Sequence, residues 1–347
     1  MTANSKIFDF NPKSTKPLIH LAHANGFPPQ TYQKAIQSLL PNYHVVSFLA
    51  RPLWGDTSPE WLKHWFQMAD DLIEGIENLT PIDTPHPNPL PQGARGMGIS
   101  TDPPPSPEGA MNFRTGVHRG ESPYGSTKGN MGDFPHERQQ GDVGRGEGKV
   151  NSDKVIGVGH SLGGVLTLYA AVKRPDLFSR VILIDPTMLS PKLLWQIRLL
   201  KIFGLDARKR LIDGALKRKR SWESAEAVYD HFRGRGLFKN WSDDIVEAYV
   251  DSMTGPSKNG GVELIYPPEW EAQIYKTIPT DVWKFAKLLQ QPTMVIRGET
   301  SNTFTADSEK AFRKVNPQAV FKVVQGAGHL VTQEKPEEVG KLIGSFL

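Results

Sequence analysis

The chain has 347 residues, 38% of them hydrophobic, and a formal net charge of +4. This is enough for one large α/β domain with an additional cap. Because the chain has no cysteine, it has no thiolate nucleophile, no disulfide framework and no cysteine metal site. The first residues lack a basic and then apolar leader, and no window approaches 18 apolar residues, so we expect a cytoplasmic protein without stable membrane insertion.

Predicted strands alternate with predicted helices along most of the chain. The strands are 17–22, 44–49, 154–158, 180–185, 293–297 and 319–324, and the helices are near 30–40, 62–79, 161–174, 305–315 and 335–346. This alternation predicts an α/β fold with a doubly wound, mostly parallel sheet. Such sheets bind ligands at the carboxyl ends of their strands, so the loops after the strands are the first place to seek a site.

The loop after the first of these strands, His23–Pro28, is rich in small residues. An enzyme that transfers acyl groups needs two N–H donors directed at the developing oxyanion, one of them from a loop after an early strand. We predict that the backbone of Phe27 supplies this donor, with Gly26 allowing a close approach. The alternative is an ordinary Asn-Gly turn with no catalytic role.

Residues 81–150 interrupt the strand and helix alternation. They contain eleven Pro and thirteen Gly, a composition typical of low-complexity or disordered chain. We interpret them as a disordered insertion at a surface connection, of genomic origin and without a catalytic role. Deletion of 82–150 should then leave folding and activity intact. The alternative is a polyproline segment that docks on a partner's aromatic groove.

The segment Gly159–Gly164 has the sequence GHSLGG, between the apolar strand 154–158 and a predicted helix. A sharp turn from strand to helix with Ser161 at its apex exposes the hydroxyl above the sheet, and this is a nucleophile elbow. It also directs the N–H of Leu162, our second oxyanion donor, from a positive helix end. Gly159 and Gly163 are needed because a Cβ at either position would collide with neighbouring backbone. A glycine-rich turn that only packs is the alternative.

Near the C-terminus, strand 319–324 is followed by the glycine-rich loop Gln325–Leu330, which contains His329. A histidine in a loop after the last strand can reach over the sheet edge to a serine at an elbow. We therefore predict His329 as the general base.

The oxyanion loop, the serine elbow and the late histidine, in this order, resemble the α/β-hydrolase superfamily. The resemblance implies a hydrolase core, a mostly helical cap, and a Ser161 acyl-enzyme formed with His329 as base and a backbone oxyanion hole. Separately, the sequence shows no His-x-x-x-His pair, acidic cluster or phosphate loop, so we expect no cofactor and no metal. The organisation we expect is core over 1–80, the insertion over 81–150, core with the elbow over 151–186, the cap over 187–290 and core over 291–347.

The acidic partner of His329 is where the chain departs from the family pattern. The family usually has this residue in the loop after the penultimate strand, where the corresponding position here is Asn302. Some members carry the acid at the end of the strand after the elbow helix, and that position corresponds to Asp185. We favour Asp185, with Asn302 as the alternative, followed by Glu299 or Asp307.

A serine nucleophile excludes the aspartyl-ester chemistry of dehalogenases and epoxide hydrolases of this fold. We expect an esterase-like or lipase-like serine hydrolase acting on a small or medium, largely apolar carboxylic ester or related acyl compound. The alternatives are an acyltransferase or a non-catalytic ligand-binding protein. The basic runs 208–210 and 217–220 are interpreted as solvated helix faces, and we expect no nucleic acid partner. The alternative is that they recruit an anionic substrate, a membrane surface or nucleic acid. The sequence does not indicate an oligomeric state.

Overall fold

The structure, a computed structural model, describes residues 6–79, 154–202 and 208–347. All of them belong to one unit, formed by Met1–Ile82 and Val150–Leu347. The predicted insertion over 81–150 lies outside the described residues, so its disorder and its lack of a role stay predictions.

A seven-stranded sheet forms the centre of this unit. Its strands are β1 (Ile7–Asp9), β2 (Leu18–Ala22), β3 (His44–Phe48), β4 (Val155–His160), β5 (Phe178–Ile184), β9 (Thr293–Gly298) and β10 (Val320–Val324). Their order across the sheet is β1-β3-β2-β4-β5-β9-β10, and every neighbouring pair is parallel except β1 with β3. The predicted α/β fold with a mostly parallel sheet is confirmed. The short edge strand β1 was not predicted.

The sheet strands are apolar on both sides because helices cover both faces. In β5, Val181 and Leu183 pack into the cluster that contains the helix after the elbow, while Ile182 and Ile184 pack into the cluster on the opposite face. All four side chains are fully buried. The covering helices outside the segment between β5 and β9 are α1 (Gln33–Ile36), α2 (Phe66–Leu79), α3 (Leu162–Lys173), α10 (Ala306–Val315), α11 (Val331–Glu334) and α12 (Pro336–Phe346).

The helix predicted over 30–40 is much shorter in the structure. A 3₁₀ turn over Pro29–Tyr32 precedes α1, which ends at Ile36. Beyond it, Leu39 N–H bonds to the carbonyl of Ile36, a three-residue turn in place of a helical bond. Pro41 follows, and a proline disfavours helical backbone in the residue before it. The prediction was wrong here because it rested on the spacing of apolar residues and did not take account of the prolines at both ends of the segment.

Residues 187–290, called here the β5–β9 segment, join two adjacent strands of the sheet. Its helices are α4 (Pro191–Ile202), α5 (Lys209–Leu216), α6 (Ala225–Arg233), α7 (Asp243–Met253), α8 (Pro268–Lys276) and α9 (Val282–Leu288). It also contains a small antiparallel sheet that was not predicted, formed by β6 (Ser221–Trp222), β7 (Thr254–Pro256) and β8 (Val262–Leu264). None of the described helices is long and apolar enough to cross a bilayer.

An aromatic cluster fills the interior of the β5–β9 segment. Phe232 and Phe238 have ring centroids 5.2 Å apart, and Phe238 lies 4.7 Å from Trp241. Trp222 is 5.8 Å from Phe232, and all four side chains are at most 5% exposed. These aromatics pack with one another and are continuous with the hydrophobic cluster on the α3 face of the sheet.

Candidate active site

Ser161 lies at the apex of the turn between β4 and α3, with φ 56° and ψ −116°. This left-handed conformation is strained for a residue with a side chain and persists only where the surroundings enforce it. The turn is tight: a Cβ on Gly163 would overlap the carbonyl of Ala22 in β2, and a Cβ on Gly159 would overlap the carbonyl of Gly163. The glycines therefore permit the close packing that holds the serine above the sheet.

Three side chains from three strand ends form one hydrogen-bonded chain. Ser161 Oγ lies 2.9 Å from His329 Nε2, and His329 Nδ1 lies 2.7 Å from Asp185 Oδ1. A carboxylate only accepts, so Nδ1 carries the proton, Nε2 accepts, and the serine hydroxyl donates to it. This is the protonation pattern that a histidine needs to act as base toward the hydroxyl.

Asp185 is fully buried directly after β5 and has φ 39°. Besides the imidazole, its carboxylate accepts from the Ser301 hydroxyl at 2.6 Å and from the Gly298 N–H at 3.0 Å. Both donors belong to the end of β9 and the loop that follows it. This loop therefore holds the acid from the next strand, although none of its own carboxylates contacts His329.

The other candidates for the acid lie elsewhere. Asn302 is exposed at the cavity wall, and its side-chain oxygen accepts from Thr303 at 3.3 Å. Glu299 is exposed and binds the N–H of Gly326 at 2.9 Å. Asp307 is exposed in the first turn of α10. Of the four candidates, Asp185 is the one that the structure brings to the histidine.

The two predicted oxyanion donors both line the cavity in front of Ser161. Leu162 is the first residue of α3, where backbone N–H groups have no partner inside the helix. The N–H of Phe27 donates to the carbonyl of Ala24 at 3.2 Å, so an oxyanion bound there would share or replace that bond. The Phe27 ring packs on Trp241 and Tyr249, with centroids 5.9 and 5.7 Å away. The β5–β9 segment thus contacts the turn that carries the Phe27 N–H.

Thr187 was not predicted, although it contacts the nucleophile. Its Oγ1 lies 3.1 Å from Ser161 Oγ. Because the serine hydrogen is directed at His329, the threonine hydroxyl is the donor in this pair. Ser301 was also missed. Both are small polar residues in a loop shortly after a strand, and the position of these loops at the same sheet edge as Ser161 was the available signal.

A cavity of about 1160 Å³ opens in front of Ser161 and His329. Its wall is mainly apolar, and α4 contributes Leu193, Leu194, Ile197 and Leu199. Among the described lining residues, Arg208 is the one permanently charged side chain, and its Nη1 donates to the carbonyl of Lys276 at 2.5 Å. In residues 6–79, 154–202 and 208–347, no three His, Asp or Glu side chains are grouped as metal ligands would be.

Two residues of the basic runs turn inward, contrary to the interpretation of both runs as solvated faces. Arg208 lines the cavity, and Arg218 pairs with Glu271 at 2.5 Å and donates to Tyr249 at 2.9 Å. Lys209 and Lys219 are exposed, as expected. Arg208 and Arg218 differ from their exposed neighbours because successive residues at the two ends of helix α5 point to different sides.

The chain was compared with known proteins. It is 27% identical over 190 residues to a 2-(acetamidomethylene)succinate hydrolase of Mesorhizobium japonicum, a match that covers 55% of this chain and 63% of that relative. A crystal structure of E-2-(acetamidomethylene)succinate hydrolase superposes with a TM-score of 0.66 at 19% identity, covering 98% of this chain and 93% of that one. The peroxisomal α/β-hydrolase Lpx1 of Saccharomyces cerevisiae superposes with a TM-score of 0.62 at 15% identity, covering 98% and 81%.

At these identities the likeness to the two solved structures concerns the fold alone. A family model for the alpha/beta hydrolase fold matches residues 94–336, well over half of the chain. The chain therefore belongs to the α/β-hydrolase fold family.

Proposed function

We propose that the protein is a serine hydrolase that forms an acyl-enzyme on Ser161. The observation that carries the proposal is the hydrogen-bonded chain from Ser161 Oγ to His329 (2.9 Å) and on to Asp185 (2.7 Å). His329 takes the serine proton during attack and returns it to the leaving group. It then activates a water that releases the acyl group, while Asp185 orients the ring and stabilises its charged form.

Electrostatic stabilisation of the oxyanion is the second part of the proposal. The Leu162 N–H at the start of α3 is one donor, and the turn over Ala24–Phe27 supplies the other. Asn25 in that turn accepts a hydrogen bond from the Tyr266 hydroxyl at 2.6 Å, so the turn is held from the β5–β9 segment. This contact supports a role for that segment as a cap that both closes the cavity and fixes the donor turn.

For the substrate we propose an N-acyl or ester compound with an apolar body and a carboxylate. The apolar cavity wall supports the first feature, and the charge of Arg208 supports the second. The named substrate of the relative from Mesorhizobium japonicum is an acetamido derivative of succinate, which combines an acyl amide with carboxylates. Arg208→Gln should raise KM for a carboxylate-bearing substrate and not for its neutral methyl ester. Lys209→Gln is the matched control, since the Lys209 side chain is 75% exposed.

The acyl-enzyme is tested by rapid mixing with p-nitrophenyl acetate. The wild type should release a burst of p-nitrophenol stoichiometric with the protein, followed by slower turnover. Ser161→Ala and His329→Ala should show neither phase above the rate in buffer. Turnover without a burst that persists in Ser161→Ala would contradict a covalent intermediate on this serine. Faster product release with an added alcohol or amine acceptor would favour the acyltransferase alternative.

A further inference from the structure

His160, the residue before the serine, is fully buried and has three polar neighbours. Its Nε2 lies 2.9 Å from the backbone carbonyl of His329. On the other side of the ring, Nδ1 lies 2.8 Å from the Tyr32 hydroxyl and 3.2 Å from the Thr332 hydroxyl. The ring therefore bonds to the backbone of the proposed base and packs beside its imidazole, with ring centroids 5.4 Å apart, and it is not among the residues that line the cavity.

The hydrogen-bond partners fix the tautomer of this ring. A carbonyl oxygen only accepts, so Nε2 of His160 carries a proton. Burial lowers the pKa of His160 to about 3, so the ring is neutral near pH 7 and Nδ1 is an acceptor. Thr332 donates its hydroxyl hydrogen to Gln333 at 2.6 Å, which leaves the Tyr32 hydroxyl as the donor to Nδ1.

The same hydroxyl continues the connection to the oxyanion turn. Tyr32 accepts from the N–H of Ala24 at 2.9 Å and is itself 1% exposed. The result is a directed relay, from Ala24 N–H through the Tyr32 hydroxyl and the His160 ring to the His329 carbonyl. It joins the turn after β2, the elbow after β4 and the loop after β10.

We propose that His160 is a positioning residue. It fixes the loop that carries His329 (Gln325–Leu330) and the turn that carries the Phe27 N–H (Ala24–Phe27) relative to Ser161. The inference rests on the proposed function of Ser161 and His329. Asp185 orients the imidazole of His329, whereas His160 holds the backbone from which that imidazole extends. His160 is not a hydrogen-bond partner of Ser161 Oγ or of the His329 ring nitrogens, and in this proposal it exchanges no proton during the reaction. The relay thus connects three loops at the carboxyl ends of β2, β4 and β10.

Two substitutions distinguish the role of the Nε2 donor of His160 from that of its Nδ1 acceptor. In His160→Gln the amide can keep the donor to the His329 carbonyl, and in His160→Asn the oxygen can keep the acceptor for Tyr32 while the donor is lost. Since a displacement of about 1 Å can cost roughly 100-fold in rate, we expect fluorophosphonate labelling of Ser161 to slow by about 10- to 100-fold in His160→Asn. His160→Gln should recover much of this loss. The acid limb of the labelling pH profile should keep its position in both variants.

His20→Gln is the matched control. His20 is buried like His160, and its Nε2 accepts from the Phe48 N–H at 3.2 Å, a bond between β2 and β3 outside the relay. We expect this variant to lose stability and to label at the wild-type rate. Tyr32→Phe tests the relay from its other end if His160→Asn does not fold, and it should also slow labelling.

Hydrogen–deuterium exchange gives a readout that does not depend on catalysis. In His160→Asn the amides of residues 326–332 should exchange faster than in the wild type, and in Tyr32→Phe those of residues 24–28, while His20→Gln changes neither. Unchanged exchange and unchanged labelling in His160→Asn would overturn the relay. A shifted acid limb would instead make His160 a titrating base. A wild type that is not labelled, with faster exchange in the variants, would contradict the proposed function and leave the relay supported.

Discussion

The strand ends of the sheet and the α4 side of the cavity are built in different ways. At the strand ends, each polar group of the Ser161, His329 and Asp185 chain has hydrogen-bond partners, and Asp185 is fully buried. Helix α4 lines the cavity mainly with aliphatic side chains, together with Gln196, while Trp195 and Ile202 on the same helix are 61% and 77% exposed. Directional bonds fix one region, and non-directional apolar contacts shape the other.

This difference indicates a division of tasks. Hydrogen bonds between strand ends restrict the relative positions of the Ser161, His329 and Asp185 side chains, and acyl transfer is sensitive to displacements of about 1 Å. An apolar wall discriminates weakly between substrates and tolerates substitution. Changes at the strand ends should therefore alter the rate of the chemical step for every substrate. Changes in α4 should alter which substrates are accepted.

The largest effect is expected from the acid. Asp185→Asn removes the charge that stabilises the imidazolium and favours the wrong tautomer of His329, so kcat should fall by about 10⁴-fold. Asn302→Ala should leave kcat close to wild type because Asn302 does not contact His329. Steady-state rates with one activated ester measure both. The opposite ranking would make the loop after β9 the source of the orienting residue.

A smaller loss is expected when only one support of the acid is removed. Ser301→Ala deletes the 2.6 Å hydrogen bond to Asp185. A hydrogen bond to a charged group contributes about 1.5–3 kcal/mol, so kcat should fall by roughly 10- to 100-fold with KM little changed. Ser308→Ala is the matched control, as Ser308 in α10 is also buried and its hydroxyl lies 3.3 Å from the Thr305 hydroxyl. Equal losses in both variants would indicate general destabilisation.

Substitutions in the cavity wall should change the preference for substrates of different acyl chain length. Ile197→Trp narrows the cavity, and we expect kcat/KM for long acyl chains to fall by at least about 10-fold relative to short ones, since one methylene of misfit costs about 1–3 kcal/mol. Trp195→Ala, on the exposed side of the same helix, should leave the chain-length profile unchanged. A uniform loss across all chain lengths would assign α4 a part in the chemical step.

The dependence of stability on pH should report the buried histidines of the core. Burial lowers the pKa of His20 to about 3, of His23 to about 4 and of His160 to about 3. The unfolded chain binds protons at these residues below its ordinary pKa of about 6.5, whereas the folded chain does not until about pH 4. The free energy of unfolding should therefore decrease as pH falls through this window, by about 1.4 kcal/mol per pH unit for each histidine.

Urea unfolding at several pH values between about 7.5 and 4.5 measures this dependence. His20→Gln removes one of the three groups and should make the slope shallower by that amount. A slope that is unchanged in His20→Gln would mean that this ring is protonated in the folded state.

The sheet and the elbow could be predicted from the sequence because each is marked by a pattern of residues close together in the chain. Runs such as Val181–Ile184 are apolar for strands buried on both faces, and the glycines around Ser161 mark a turn that other residues cannot adopt. Long-range pairing was not readable in the same way. Ser301 supports Asp185 from 116 residues away, and the antiparallel strands β6–β8 are too short to show a period. The basic run containing Arg218 was misread because its partner Glu271 lies on a distant helix.

The most direct test of the account is labelling of the full chain with a fluorophosphonate probe, followed by peptide mapping of the adduct. The account predicts rapid modification of Ser161 alone, with modification lost in Ser161→Ala and strongly slowed in His329→Ala. A folded wild type without an adduct, or with an adduct on another residue while Ser161 stays unmodified, would contradict a nucleophile at this elbow.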